Sequence, residues 1–192
     1  MRLFVGAEPS PRVRREAAAT AAALRSALEA RRVFHKFRWV PPENLHLTVW
    51  FLGEVTDERS AGVINALAPA LGEKPFSIHL SGLGTFPPSG SPRVVWMGIV
   101  EGLDALSRMH DEVAIRLAPW GFQKESRPYS AHLTLARVKD PMPAEVRSAL
   151  RDVLTKCPAD AGSCQIDALT IFRSRTSPAG AVYEPLLRVP LS

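Results

Sequence analysis

The hexapeptide Asn44-Leu45-His46-Leu47-Thr48-Val49 is answered late in the chain by Ser130-Ala131-His132-Leu133-Thr134-Leu135, and together the two copies decide the architecture. Both have the alternation of a β-strand. Side chains on a strand point to opposite faces in turn, so His46 and Thr48 share one face while Leu45, Leu47 and Val49 share the other. The second copy divides the same way, with His132 and Thr134 opposite Ala131, Leu133 and Leu135. Each strand thus offers an apolar face to a core and a histidine–threonine pair to a different environment.

Outward from these copies, the chain alternates strand-like and helix-like runs. Residues 2–8 read as a strand, and Ser10-Pro11 as an N-cap with proline at the first helical position. Val13, Ala17, Ala21, Leu24 and Leu28 then recur at helical spacing, giving a helix to about Arg32. Short strands are expected at 37–40 and 45–52, the first stopped by Pro41-Pro42 and the second by Gly53. Thr56 or Asp57 caps a second helix with Val63, Ile64, Leu67 and Leu71 inward. Strands at 76–83 and 93–100 flank the turn-rich GTFPPSGSP, and Leu103, Leu106, Val113 and Leu117 mark a third helix ending near Pro119. A strand at 131–138, a helix opened by Pro143 with Val146, Leu150 and Val153 or Leu154 inward, and strands at 166–172 and 182–189 complete the chain. Several strands follow one another directly. That predicts an α+β fold of mixed or antiparallel sheets with helices on one face of each, not a doubly wound parallel sheet.

Bulk properties narrow the function classes. The 192 residues are 46% hydrophobic and 22% charged, ordinary for a soluble globular protein. No run approaches the roughly 18 apolar residues of a membrane span, and the N-terminus lacks the apolar core of a signal peptide, so a cytoplasmic protein is expected. Cys157 and Cys164 bracket a segment without histidine, which reads as two reduced thiols rather than a metal site. The net charge of +5, carried mostly by arginine, favours phosphate-bearing partners, although a biased composition rich in alanine and proline also enriches arginine.

The chemistry that suits the duplicated pair is acid–base catalysis at a phosphodiester. Opening a cyclic phosphate requires a water stripped of a proton and a leaving oxygen given one. Histidine does both near neutrality, and two histidines on opposite sides of the phosphorus divide the tasks without a metal. Threonine hydroxyls stabilise charge on the non-bridging oxygens. A single His-Leu-Thr in a strand is commonly a histidine satisfied at a sheet surface; the second copy is what favours function.

The two motifs resemble the paired H-x-[ST]-x signatures of the 2H phosphoesterases, and within them the bacterial RNA 2′,3′-cyclic phosphodiesterases formerly called 2′-5′ RNA ligases. The resemblance runs through RLFVGAEP, FRWVPPENLHLTVWFLGEV, LSGLGTFPPSGSPRVVWMGI, HLTLARV and FRSRTSPAGAVYEPL. It implies one two-lobed unit over 1–192, with pseudo-symmetric lobes, each a mainly antiparallel sheet with helices on its outer face, and the active site in the cleft between them. It also implies His46 as the acid protonating the 3′ oxygen and His132 as the base acting on water, leaving a 2′-phosphate. Thr48, Thr134 and Arg137 carry over as phosphate ligands. By alternation Arg137 falls opposite His132, so it reaches the phosphate only if the strand ends or bulges there. The family's proline before the second histidine is Ala131 here, which costs no side-chain function.

Phe51 and Tyr129 flank the motifs as candidates to stack on a base. His79 is expected on a solvent- or cleft-facing sheet surface, His110 at the boundary of the third helix, and His35 in a basic, aromatic stretch that reads either as an RNA contact or as a helix end before a strand. The expected partner is RNA ending in a 2′,3′-cyclic phosphate, or a cyclic nucleotide, handled by a monomer with no cofactor. The alternatives are a reversible 2′-5′ RNA ligase, a phosphodiesterase for small cyclic nucleotides, and a non-catalytic RNA-binding module.

Overall fold

Strands carrying the two motifs meet at the centre of one sheet. The computed structural model describes residues 1–33, 37–124, 126–177 and 180–192. Its strands are β1 (Arg2–Ala7), β2 (Phe37–Trp39), β3 (Leu47–Glu54), β4 (Phe76–Phe86), β5 (Val94–Glu101), β6 (Leu133–Val138), β7 (Asp160–Ile166), β8 (Ala168–Ser177) and β9 (Gly180–Pro190). Its helices are α1 (Pro11–Ala30), α2 (Asp57–Leu67), α3 (Leu103–Leu117) and α4 (Ala144–Lys156). The sheet runs β7-β4-β5-β6-β3-β1-β8-β9, with β2 paired to β6, and the paired strands are antiparallel. At its middle, β3 and β6 touch through the single pair Leu47↔Leu133.

That junction divides the sheet into two halves of four strands, β7-β4-β5-β6 and β3-β1-β8-β9. In each, two neighbouring antiparallel strands are joined through a helix: β1 to β3 through α1, and β5 to β6 through α3. Each of those helices packs on the other half. α1 lies against β6, β7 and α4, whereas α3 lies against β3 and α2. Val13, Ala17 and Leu24 of α1 are fully buried, as are Leu106, Met109, Val113 and Leu117 of α3. On the β3-β1-β8-β9 half, Val5, Leu169, Ile171 and Val189 converge on Leu67 and Val113. The opposite face of the sheet is left for the histidines.

Local signals place most boundaries. Ser10 caps α1 by accepting from Val13 N at 3.3 Å, and Thr56 caps α2 by accepting from Arg59 N at 3.3 Å. Gly102 opens α3 at φ 85°, where a Cβ would sit 2.5 Å from the Ser77 carbonyl oxygen. Leu71, expected within the second helix, lies beyond its end and bridges to Leu191 instead, because Pro69 has no N–H with which to continue the helical ladder past Ala68. β7 was not expected. Its sequence DAGSCQI lacks a regular apolar alternation, and it is held as an edge strand by β4, from Phe76↔Ile166 to Ser81↔Asp160. Cys157 and Cys164 are free thiols.

Candidate active site

The two motif strands share a bulge as well as a sequence. In β3, Gly6 pairs with Thr48 and Val5 with Trp50, leaving Val49 as the extra residue. In β6, Trp96 pairs with Thr134 and Val95 with Ala136, leaving Leu135 extra. A bulge of one residue resets the alternation. Val49 and Trp50 are therefore both buried, as are Leu135 and Ala136. Beyond the bulge the faces are exchanged. Arg137 emerges on the side of His132 and Thr134, which simple alternation denied it, and Phe51 occupies the matching position on the side of His46 and Thr48. Phe51 is 55% exposed, with the Arg2 guanidinium 5.1 Å from its ring centroid.

Both imidazoles are held alike. His46 Nδ1 lies 2.7 Å from the Asn44 carbonyl oxygen and His132 Nδ1 lies 2.8 Å from that of Ser130. A carbonyl only accepts, so each Nδ1 carries the proton and donates it, which leaves each Nε2 with its lone pair. Thr48 Oγ1 stands 3.0 Å from His46 Nε2 and donates to it. Among the described residues His132 Nε2 has no such partner. Gly6 lies close beneath the motif: a Cβ there would come within 3.2 Å of the Leu47 carbonyl oxygen and 3.4 Å of His46 Cδ2.

Aromatic walls set the proton affinities. His46 packs against Phe4 at 4.6 Å and edge-on to Tyr183 at 5.1 Å, while His132 meets Phe86 edge-on at 4.9 Å with Trp96 at 6.5 Å. Burial is the largest influence on His46 and lowers its pKa to about 4; the Asn44 carbonyl and Glu8 oppose this, and the charges of Arg137 and His132 add to it. Burial also lowers His132, the Ser130 carbonyl opposes, and Arg137 again adds. One guanidinium thus acts on both imidazoles. These walls were missed in the sequence because Phe4, Phe86, Trp96, Phe172 and Tyr183 come from five strands whose register was unknown.

Tyr129 has a different place from the base-stacking position expected of it. Its ring stacks on His110 at 4.5 Å, and its hydroxyl donates to the Thr48 carbonyl oxygen at 3.1 Å. His110, expected at a boundary, is only 9% exposed and lies between Tyr129 and Trp50, whose ring is 4.9 Å away. The segment before the second motif is thereby tied to the strand of the first. Burial holds the Tyr129 phenol above its ordinary pKa, so it remains a donor. His79 sits apart at the β4–β7 edge, hydrogen-bonded to Ser163 at 2.8 Å and paired with Asp160 at 3.1 Å. His35 lies outside the described residues.

A family model described as the 2′-5′ RNA ligase superfamily matches residues 13–178. Curated relatives called RNA 2′,3′-cyclic phosphodiesterase include one from Archaeoglobus fulgidus, 36% identical over 77% of this chain and 80% of its own. Another, from Thermus thermophilus, is 34% identical over 88% of this chain and 83% of its own. Among solved structures, a Thermus thermophilus protein superposes with a TM-score of 0.72 at 28% identity, covering 100% of this chain and 98% of that one. Escherichia coli LigT in complex with 3′-AMP gives 0.70 at 25% identity, with the same coverage.

Proposed function

Because the chain belongs to the 2′-5′ RNA ligase superfamily of two-histidine phosphoesterases, we propose that it hydrolyses 2′,3′-cyclic phosphate ends of RNA to 2′-phosphates. The observation that carries this is the matched pair of imidazoles, each fixed through Nδ1 to a carbonyl two residues earlier, so that Nε2 is the working atom on one face of the sheet. His132 Nε2 takes a proton from a water, which attacks phosphorus. The P–O3′ bond breaks as His46 Nε2–H protonates the departing 3′ oxygen, and the phosphate stays on the 2′ oxygen. One proton enters at His132 and one leaves from His46, so the cycle closes by exchange with solvent.

His46 is neutral in the empty site at pH 7, so it must gain its proton with the substrate. The anionic phosphodiester supplies that bias, since a nearby negative charge favours the imidazolium. Once His46 Nε2 carries a proton it no longer accepts from Thr48, and the released hydroxyl turns to a non-bridging oxygen. Thr134 does the same from the other strand, and Arg137 adds a charge-assisted contact. Phe51, exposed beside Thr48, offers a face to the terminal base. Both motifs come from one chain, which supports a single unit over 1–192 acting as a monomer; we place it in the cytoplasm, consistent with its free thiols.

The test is a short RNA ending in 2′,3′-cyclic phosphate, incubated with the protein in EDTA, with the product isomer identified. A 2′-phosphate is expected. A 3′-phosphate would overturn the leaving-group assignment, and loss of activity in EDTA would overturn the metal-free mechanism.

A further inference from the structure

The strand β2 is three residues long and lies beside the end of β6 that β3 does not reach. Phe37 and Trp39 pack toward the core, stacked at 5.6 Å, so Arg38 projects from the other face. Its partner in register is Arg137, and Arg137 in turn faces Val94 of β5. Cross-strand partners share a face, with Cα atoms about 5 Å apart. Two guanidinium groups therefore stand side by side on the histidine face.

Like charges directly opposite one another destabilise a ladder. Elsewhere this sheet avoids that: Arg173 and Arg175 share Glu184 across β8 and β9, and Arg188 pairs with Asp167. Among the described residues neither the Arg38 nor the Arg137 side chain has an ion pair or a hydrogen bond. The pair is complete only with an anion from outside. Arg137 lies near enough to both histidines to act on their protons, whereas Arg38, one strand spacing (about 4.8 Å) to its side, is not among the charges that act on either. A cyclic mononucleotide has no second anion to place there. An RNA end has one, the phosphodiester 5′ of its terminal nucleoside.

We propose that Arg38, beside Arg137, forms a second phosphate subsite that holds the 5′ phosphodiester of the terminal nucleotide and makes an oligonucleotide end, rather than a cyclic mononucleotide, the preferred substrate. This rests on the phosphodiesterase reading above. The subsite reads charge and not sequence, and a planar guanidinium suits a phosphodiester's paired oxygens.

The experiment compares two dinucleotides with a 2′,3′-cyclic phosphate end, one with an ordinary internal phosphodiester and one with a neutral methylphosphonate in its place. The wild-type protein should favour the charged linkage by roughly tenfold in kcat/KM, the worth of one charge-assisted hydrogen bond. Arg38→Gln should bring that ratio close to one, Arg38→Lys should restore part of it, and the salt dependence should weaken by about 0.7 in log–log slope for the one lost contact. A ratio near one in the wild-type protein, or an unaltered ratio in Arg38→Gln, overturns the subsite. If neither dinucleotide is turned over, the hydrolase reading fails instead, and the same ratio measured as Kd by fluorescence anisotropy still decides the role of Arg38.

Discussion

At the scale of single residues, the proposed reaction makes the proton affinities of His46 and His132 govern what the site does at a given pH. Both are lowered below the ordinary histidine value, chiefly by burial among aromatic rings. Since kcat/KM reports the free enzyme, both limbs of its pH profile should lie below 6.5. Arg137→Gln should move both limbs upward, because the lost charge disfavoured the protonated form of each. Limbs at or above 6.5 in the wild-type protein would contradict the burial argument. A stability effect follows from the same cause. The folded pKa of His46 lies below its unfolded value, so its contribution is present above pH 6.5 and lost as pH falls toward about 4. The loss is on the order of 2–3 kcal/mol, and urea midpoints at pH 7 and pH 4.5 should differ less in His46→Gln. Replacing either histidine by alanine should cost roughly 10²–10⁴ in rate. The double variant should cost less than the product of the two, since the pair acts as a unit.

At the scale of elements, the informative features are the equivalent bulges and the brace between the motifs. Alternation in the sequence was enough to put His46 with Thr48 and His132 with Thr134. It was not enough for Arg137, because the consecutive apolar residues Leu135 and Ala136 read equally well as a regular strand or as one with an extra residue. Only the register with Val95 and Trp96 distinguishes these. β7 was illegible for a related reason: an edge strand needs little apolar alternation when its partner supplies the register. The Tyr129 brace was illegible because His110, Tyr129 and Trp50 lie on a helix, a loop and a strand. Its consequence can be measured. Tyr129→Phe keeps the stack on His110 and removes the hydrogen bond to the Thr48 carbonyl. It should cost about 1 kcal/mol of stability and lower kcat more than it raises KM, since Thr48 moves relative to phosphorus while the site stays filled. An effect confined to KM would make Tyr129 a substrate contact after all. Gly84→Ala acts on the other wall: its Cβ would lie 2.2 Å from the Trp96 ring, which stands 6.5 Å from His132 and would have to shift. A loss of roughly 1–3 kcal/mol is expected in urea unfolding.

For the whole molecule, the central question is whether two halves joined by one residue pair behave as one body. Leu47↔Leu133 is a slender connection, and a sheet alone would let the halves hinge about it. The helices oppose this. α1 leaves β1 on one half and buries Val13, Ala17 and Leu24 against the other, while α3 leaves β5 and buries Leu106, Met109 and Val113 in the reverse sense. Neither half can close its own core without a helix that the other half's strand delivers. Separating them would expose fully buried leucines on both sides, each worth about 1.5–3 kcal/mol, which exceeds anything one strand pair contributes. The spacing of the two histidines is therefore a property of the exchanged helices as much as of the sheet. Unfolding should be a single transition. Trp50 reports on the half that contains β3 and Trp96 on the half that contains β5, so single-tryptophan variants retaining one or the other should show coincident urea midpoints, matching the loss of helical circular dichroism. Leu133→Ala, at the fully buried junction, should shift both midpoints together by an amount corresponding to about 2–5 kcal/mol. Two separated transitions would mean that each half is stable alone, and the distance between the two imidazoles would then be free to vary with whatever fills the space between them.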